Sequence, residues 1–330
     1  MSTAQVYPWA QALWQRLLRQ HAQQRLPHAL LMSGHAGIGK LAFAQALAQY
    51  LLCQHPHQDT PCGQCRSCQL FAAEGHPDCV LLFPEEAGKV LKIDQIRELT
   101  EFLHATAQQG GYRVVILEPA EAMTLAAANA LLKSLEEPGN NTLLVLVSHQ
   151  PGQLMPTIRS RCQRIDFPAP SPLEANQWLQ SHLGLTAQRA EQLLSIAGGA
   201  PLKAQRLQES QALPLRAELM KGLADLLKGR CSVVELSVKL HKEDLLQLLE
   251  WLQSLLADIA RLQLVGEAAQ LSNLDMTKML SAVAKKTTVG KLFQVIDHLQ
   301  MERISLMERY NPNRQLLLEG IFMRWIDLVR

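Results

Sequence analysis

The sequence predicts a chain that is α/β first and all-α afterwards: a parallel five-stranded sheet wrapped by helices, then helical domains. Three observations carry this reading. Short aliphatic runs alternate with helical stretches over the first half, the pattern of strands joined by crossover helices. A glycine-rich loop follows the first aliphatic run and opens a helix, the setting in which a phosphate-binding loop occurs. Beyond Phe167 the strand signals stop, and leucine-rich helical patterns continue to the C-terminus.

The five strands are expected over residues 28–33, 79–83, 113–118, 142–148 and 163–167, nearly continuous apolar runs of the kind buried on both faces. The glycine loop opens a helix over 41–52. Between the third and fourth strands a helix is expected over 125–137. Leu131, Leu132 and Leu135 form its apolar stripe, and Pro138-Gly139 ends it because proline cannot continue the hydrogen-bond ladder. Pro168-Ala169-Pro170-Ser171-Pro172 then reads as an extended connector and sets a domain boundary, giving a first domain over 1–168. Ser171 and Glu174 match a capping box, with Pro172 at the first helical position. Gly198-Gly199 and Pro201 separate two short helices in a small helical domain over 169–210. A larger helical domain is expected over 211–330. It closes with Asn313 capping a helix over 314–329 that buries Leu317, Leu318, Phe322, Trp325 and Leu328.

Hydrophobic residues make up 48% of the 330 and charged ones 19%, which excludes a mainly disordered chain. A net charge of +2 says nothing about partners, but no run of Lys and Arg is longer than two, whereas a dedicated nucleic-acid binder usually shows a dense basic stripe, so any contact with nucleic acid is expected to be shared with other chains. Gln5, Tyr7, Pro8 and Gln11 stand where a secretory signal needs an apolar core, and runs such as 143–147 fall far short of a bilayer. A cytoplasmic protein with no membrane partner is the expectation. Seven cysteines, four of them between Cys53 and Cys68, suit a reducing compartment and a metal rather than disulfides.

Gly34-His35-Ala36-Gly37-Ile38-Gly39-Lys40-Leu41 has the spacing of a P-loop, in which glycines let backbone N–H groups close on phosphate and a lysine neutralises it. Gly34, Gly37, Gly39 and Lys40 are therefore candidate nucleotide ligands. Leu41 occupies the position where Ser or Thr would ligate magnesium, so whether ATP or ADP occupies the loop stays open, beside the alternative of a glycine turn with no ligand. Cys53, Cys62, Cys65 and Cys68 offer four soft ligands within sixteen residues, two of the spacings being tight x2 turns, and point to one structural zinc ion rather than four unmetallated thiols. Cys79, Cys162 and Cys231 are expected to be small buried or half-buried residues. The third strand ends in Glu118-Pro119, where a nucleotide hydrolase would carry a magnesium-binding Asp followed by a catalytic Glu. Glu118 is either a longer metal ligand or a solvated carboxylate, and Pro119 cannot polarise an attacking water.

The four-cysteine insertion after the P-loop helix, His76-Pro77-Asp78, the segment from Ala126 through Leu131-Leu132-Lys133-Ser134-Leu135-Glu136-Glu137-Pro138, and Ser160-Arg161-Cys162 together resemble bacterial clamp-loader subunits of the AAA+ class. The resemblance covers essentially the whole chain and is tightest over 28–168. It implies an AAA+ core, a helical lid and a helical collar that assembles a five-membered ring with delta and gamma or tau subunits of DNA polymerase III. That ring opens a sliding clamp and loads it on primed DNA. The resemblance also implies that Arg161 is an arginine finger acting in trans on a neighbour's ATP; the alternative is a surface arginine near a strand. In hydrolysing members the lid carries a sensor arginine, whereas this chain has Gly199-Ala200-Pro201-Leu202-Lys203. No ATP turnover by the chain alone is expected, the polymerase activity belonging to the complex. An active ATPase of the gamma or tau type is the first rival reading, opposed by Leu41 and Pro119. A zinc-dependent nucleic-acid-binding module is the second, opposed by the lack of a basic stripe.

Overall fold

The computed structural model describes residues 4–86, 88–210, 212–307 and 313–330, which form two compact units, Met1–Glu174 and Ala175–Arg330. In the first unit the elements run α1 Gln11–Ala22, β1 Ala29–Ser33, α2 Lys40–Leu52, α3 Arg66–Ala72, β2 Cys79–Leu82, α4 Ile93–His104, β3 Arg113–Leu117, α5 Leu125–Glu136, β4 Thr142–Ser148, α6 Pro156–Arg159 and β5 Gln163–Asp166. The strands pair in parallel in the order β2-β3-β4-β1-β5. Every strand lies within one residue of its expected bounds. The differences sit at the ends: Glu118 falls just beyond β3, and α2 begins at Lys40 rather than residue 41.

Burial explains the order. The three central strands β3, β4 and β1 are covered on both faces and are buried at every position. The edge strands tolerate polarity, as in β5, where Gln163, Arg164 and Asp166 are exposed and only Ile165 is buried. On one face Leu31, Val115, Leu117, Leu144 and Leu146 pack against Leu99 and Leu103 of α4 and Leu131 and Leu135 of α5. Each such leucine contributes roughly 1.5–3 kcal/mol by leaving water. The start of α5 is fixed by the Thr124 hydroxyl, which accepts from the Ala127 N–H at 3.2 Å.

The second unit contains α7 Pro172–Leu183, whose first turn holds the divide between the units, then α8 Ala187–Ile196, α9 Pro201–Glu209, α10 Ala212–Leu227, α11 Val233–Leu240, α12 Leu245–Val265, α13 Thr277–Lys286, α14 Val289–Met307 and α15 Arg314–Asp327. Ser171 and Glu174 form the expected reciprocal cap. The Asn313 side chain accepts from the Gln315 and Leu316 N–H groups at the head of α15. One apolar core runs from Ala175 and Leu179 through Leu248 and Leu252 to Phe322, Trp325 and Leu328, so helices on both sides of residue 210 share it. Gln211, where the sequence reading begins its last domain, lies outside the described residues. The fully buried Asp258 carboxylate is satisfied by the Ser272 and Asn273 N–H groups and by Arg261. No described helix is long and apolar enough to cross a membrane.

Candidate functional site

The loop between β1 and α2 needs glycine: φ is +79° at Gly37 and +97° at Gly39, a left-handed backbone that side chains rarely adopt. At Gly39 there is a second reason, because a Cβ there would stand 2.4 Å from the Tyr7 ring. Tyr7 stacks on Trp9, and the Trp9 indole N–H donates to the Ile38 carbonyl at 2.8 Å, so the segment before α1 lies along the loop. The Lys40 ammonium is turned back into the loop, donating to the carbonyls of Gly34 and His35 at 2.6 Å each, with the residue 2% exposed. Burial pushes its pKa down to about 8, against the opposing pull of Glu118 and Glu121. To meet a phosphate the ammonium has to leave both carbonyls.

Glu118 follows β3 with its Oε1 3.6 Å from Nε2 of His149. Glu121, which the sequence reading did not single out, accepts the His149 and Gln150 N–H groups through Oε1 at 2.9 and 3.1 Å. It joins the end of β4 to the turn after β3 and adds a second carboxylate to the field at Lys40. Nothing in its local sequence distinguishes it from a solvated acid.

The four cysteines expected to hold a metal do come together. Their Sγ atoms all lie within 4.8 Å of one another, with Cys53 to Cys65 and Cys62 to Cys68 both 4.0 Å. A tetrahedral ion with bonds of about 2.3 Å to sulfur needs S···S edges of about 3.8 Å, so the cluster can hold a metal ion. Cys53 caps the end of α2 and Cys65 caps the start of α3, so two helix ends bring the thiols together. Backbone N–H groups of Cys62, Cys65 and Cys68 donate to Cys53, Cys62 and Cys65 sulfurs at 3.3, 3.3 and 3.4 Å, a pattern that favours thiolates. The N–H groups of Gln64 and Cys65 hold the Cys62 thiol below its ordinary pKa. Burial pushes Cys53 and Cys68 up, so four thiolates together call for a cation.

His76-Pro77-Asp78 proves to be a brace. His76 Nδ1 accepts the Asp78 N–H at 3.0 Å, which leaves the ring proton on Nε2 to donate to the Ser67 hydroxyl at 2.6 Å, tying β2 to α3 beside the cysteines. The fully buried Asp78 carboxylate accepts the Gln108 and Gln109 N–H groups at 2.7 and 2.8 Å and faces Arg113 Nη2 at 3.7 Å. Cys162 is buried, while Cys79 and Cys231 are half-buried.

Arg161 sits in the turn between α6 and β5, its side chain about a third exposed. Its Nε and Nη2 lie 2.8 and 2.5 Å from Glu136 Oε1, and Nη1 donates to the Thr157 carbonyl at 3.0 Å. The parallel pairing of β1 and β5 sets Gln163 level with Leu30. Four residues of β-strand, about 13 Å, separate that level from Gly34, and Arg161 lies at the far end. The sheet thus puts the loop and the arginine at opposite ends. In the helical unit, Lys203 pairs with Glu250 of α12.

A family model described as DNA polymerase III, delta subunit, matches residues 9–171, and one described as DNA polymerase III, delta subunit, C terminal, matches residues 210–327. Among curated relatives, the chain is 43% identical to DNA polymerase III subunit delta' of Pseudomonas aeruginosa, covering 98% of each chain. It is 36% identical to the protein of that name from Yersinia pestis, over 97% of this chain and 95% of the relative. The Escherichia coli protein of that name is 34% identical, over 96% of this chain and 94% of its own length.

Proposed function

The chain belongs to the DNA polymerase III subunit delta' family, and from that premise we propose that it is a non-hydrolysing clamp-loader subunit that supplies Arg161 to a neighbour's ATP. The observation that carries the reading is the polarity of the sheet, with the nucleotide loop at the C-terminal end of β1 and Arg161 at the N-terminal end of β5. An arginine so placed is of no use to its own loop and is available to the next subunit of a ring. There a guanidinium can stabilise the charge that grows on a phosphoryl group in transfer.

On this reading the chain acts in the cytoplasm within a hetero-pentameric ring of delta and gamma or tau subunits that loads the sliding clamp on primed DNA during replication. Residues 1–168 are the AAA+ core, 169–210 the lid and 211–330 the collar through which the ring assembles. Gly34, Gly37, Gly39, Lys40 and Glu118 keep the outline of a nucleotide site. Three features speak against hydrolysis there: Leu41 offers magnesium no oxygen, Pro119 offers water no base, and Gly199-Ala200-Pro201-Leu202-Lys203 stands where a hydrolysing lid has a sensor arginine. Cys53, Cys62, Cys65 and Cys68 hold one zinc ion that cross-links the end of α2 to α3. With four protein ligands it has no open position, so its role is structural.

The test is Arg161→Ala in a reconstituted complex, compared at equal subunit occupancy. Assembly is expected to be intact, with ATP hydrolysis and clamp loading by the whole complex lowered. Loss of a finger costs on the order of a thousandfold in the step it assists, diluted here by the other active sites. Arg161→Lys is expected to rescue only in part, since an ammonium lacks the planar fork of donors. Unchanged rates with Arg161→Ala would reduce the residue to a surface arginine.

A further inference from the structure

We propose that Glu136 is the positioning residue for Arg161, its carboxylate holding the guanidinium in the orientation from which it meets the neighbouring subunit's triphosphate. The proposal rests on the finger reading above. A guanidinium has five N–H donors in one plane. Glu136 Oε1 takes one from Nε and one from Nη2, and the Thr157 carbonyl takes one from Nη1. Two donors remain, one on each terminal nitrogen, a pair suited to phosphoryl oxygens.

The two holding groups stand on packed elements rather than on a loose loop. Glu136 is the last residue of α5, next to the buried Leu135, and Thr157 lies in α6 beside the buried Ile158. Their contacts reach Arg161 from two elements, which fixes the guanidinium plane as well as its position. Glu136 is half exposed, and an ion pair in that setting adds little to stability. Its value is in restraint. Arginine is among the side chains with most rotamer freedom, and a reacting group held in place avoids losing that freedom at the moment of reaction.

The experiment uses Glu136→Ala and Glu136→Gln, each alone and with Arg161→Ala, first in the isolated subunit and then in the reconstituted complex. In the isolated chain the Arg161 Nε–H resonance, identified by its loss in Arg161→Ala, is expected to be protected from solvent exchange. That protection persists in Glu136→Gln, which keeps the Oε1 acceptor, and disappears in Glu136→Ala. In the complex, Glu136→Ala is expected to slow ATP hydrolysis about tenfold at the one site that Arg161 serves, read as a smaller drop in the whole complex's kcat with little change in KM, because placement and not nucleotide binding is lost. Glu136→Gln restores most of the rate, and the double variant is no slower than Arg161→Ala alone. Wild-type turnover in Glu136→Ala beside a slow Arg161→Ala overturns the positioning role and leaves the finger reading standing. Turnover faster than wild type overturns it equally, by making Glu136 a latch. A silent Arg161→Ala overturns both.

Discussion

At the scale of single residues, Lys40 shows how burial changes a familiar side chain. Its motif is legible in the sequence, but its state is not: the ammonium is spent on its own loop's carbonyls and its pKa falls from 10.5 to about 8. Between about pH 8 and pH 10.5 the unfolded chain keeps a proton that the folded chain has released, so this group makes stability rise with pH across that window. Urea unfolding of the wild type and Lys40→Met from pH 7.5 to 10 is expected to show the wild type gaining on the variant as pH increases. Parallel pH profiles would mean that Lys40 is not buried as described. Leu41 and Pro119 belong to the same scale, since each removes one group that hydrolysis needs. The pure chain is expected to show no ATP turnover above that of Lys40→Ala. Turnover abolished by that substitution would restore the rival reading of an active ATPase.

At the scale of elements, the motif His76-Pro77-Asp78 is the clearest case of a sequence signal whose physical meaning needed partners. Asp78 is buried among two backbone N–H groups and Arg113, and Arg113 in turn donates to the carbonyls of Phe102 and Thr106 at 2.5 Å each. The pair therefore fastens the segment between α4 and β3 to the foot of β2. Asp78→Ala leaves a buried guanidinium uncompensated and two N–H groups without an acceptor, and is expected to cost about 3–5 kcal/mol in urea unfolding. A loss below about 1 kcal/mol, the value of an exposed pair, would show that the carboxylate is dispensable. The strands were easier to read. Aliphatic runs such as Leu143 to Val147 lie in the sheet interior, where a residue's own hydrophobicity decides its place. Helices α1, α3 and α4 have no such continuous apolar run, and short or polar-faced helices depend on the surface they pack against.

At the scale of the whole molecule, the cysteine cluster is where spacing and fold meet. Metal analysis of protein purified without added zinc is expected to give one zinc per chain, since four thiolates in one tetrahedron leave no ligand for a second ion. Cys65→Ser is expected to loosen the segment between α2 and α3 while the sheet stays folded, because the apolar core of β1, β3 and β4 draws nothing from the sulfurs. Hydrogen exchange would separate the outcomes: fast exchange confined to residues 53–72 supports the expectation. Exchange spreading through β1 and β4 would mean that the metal module stabilises the whole unit.

By itself the sequence determined the five strands, the helices α2 and α5, the P-loop, the metal-ligand spacing and the presence of Leu41 and Pro119 where a hydrolase carries other residues. All of these are written in local patterns, in the periodicity of apolar residues and in the identity of a residue at a fixed offset. Only the tertiary structure decided what those residues face. It turned Lys40 inward, added Glu121 to the loop's field, made His76 and Asp78 a brace, and set Glu136 of α5 against Arg161, twenty-five residues on. It also gave buried residues on both sides of residue 210 one shared apolar core. The reason is physical: a side chain's partners and burial are set by chain segments distant in sequence, and those contacts exist only once parallel pairing has fixed the register of the sheet.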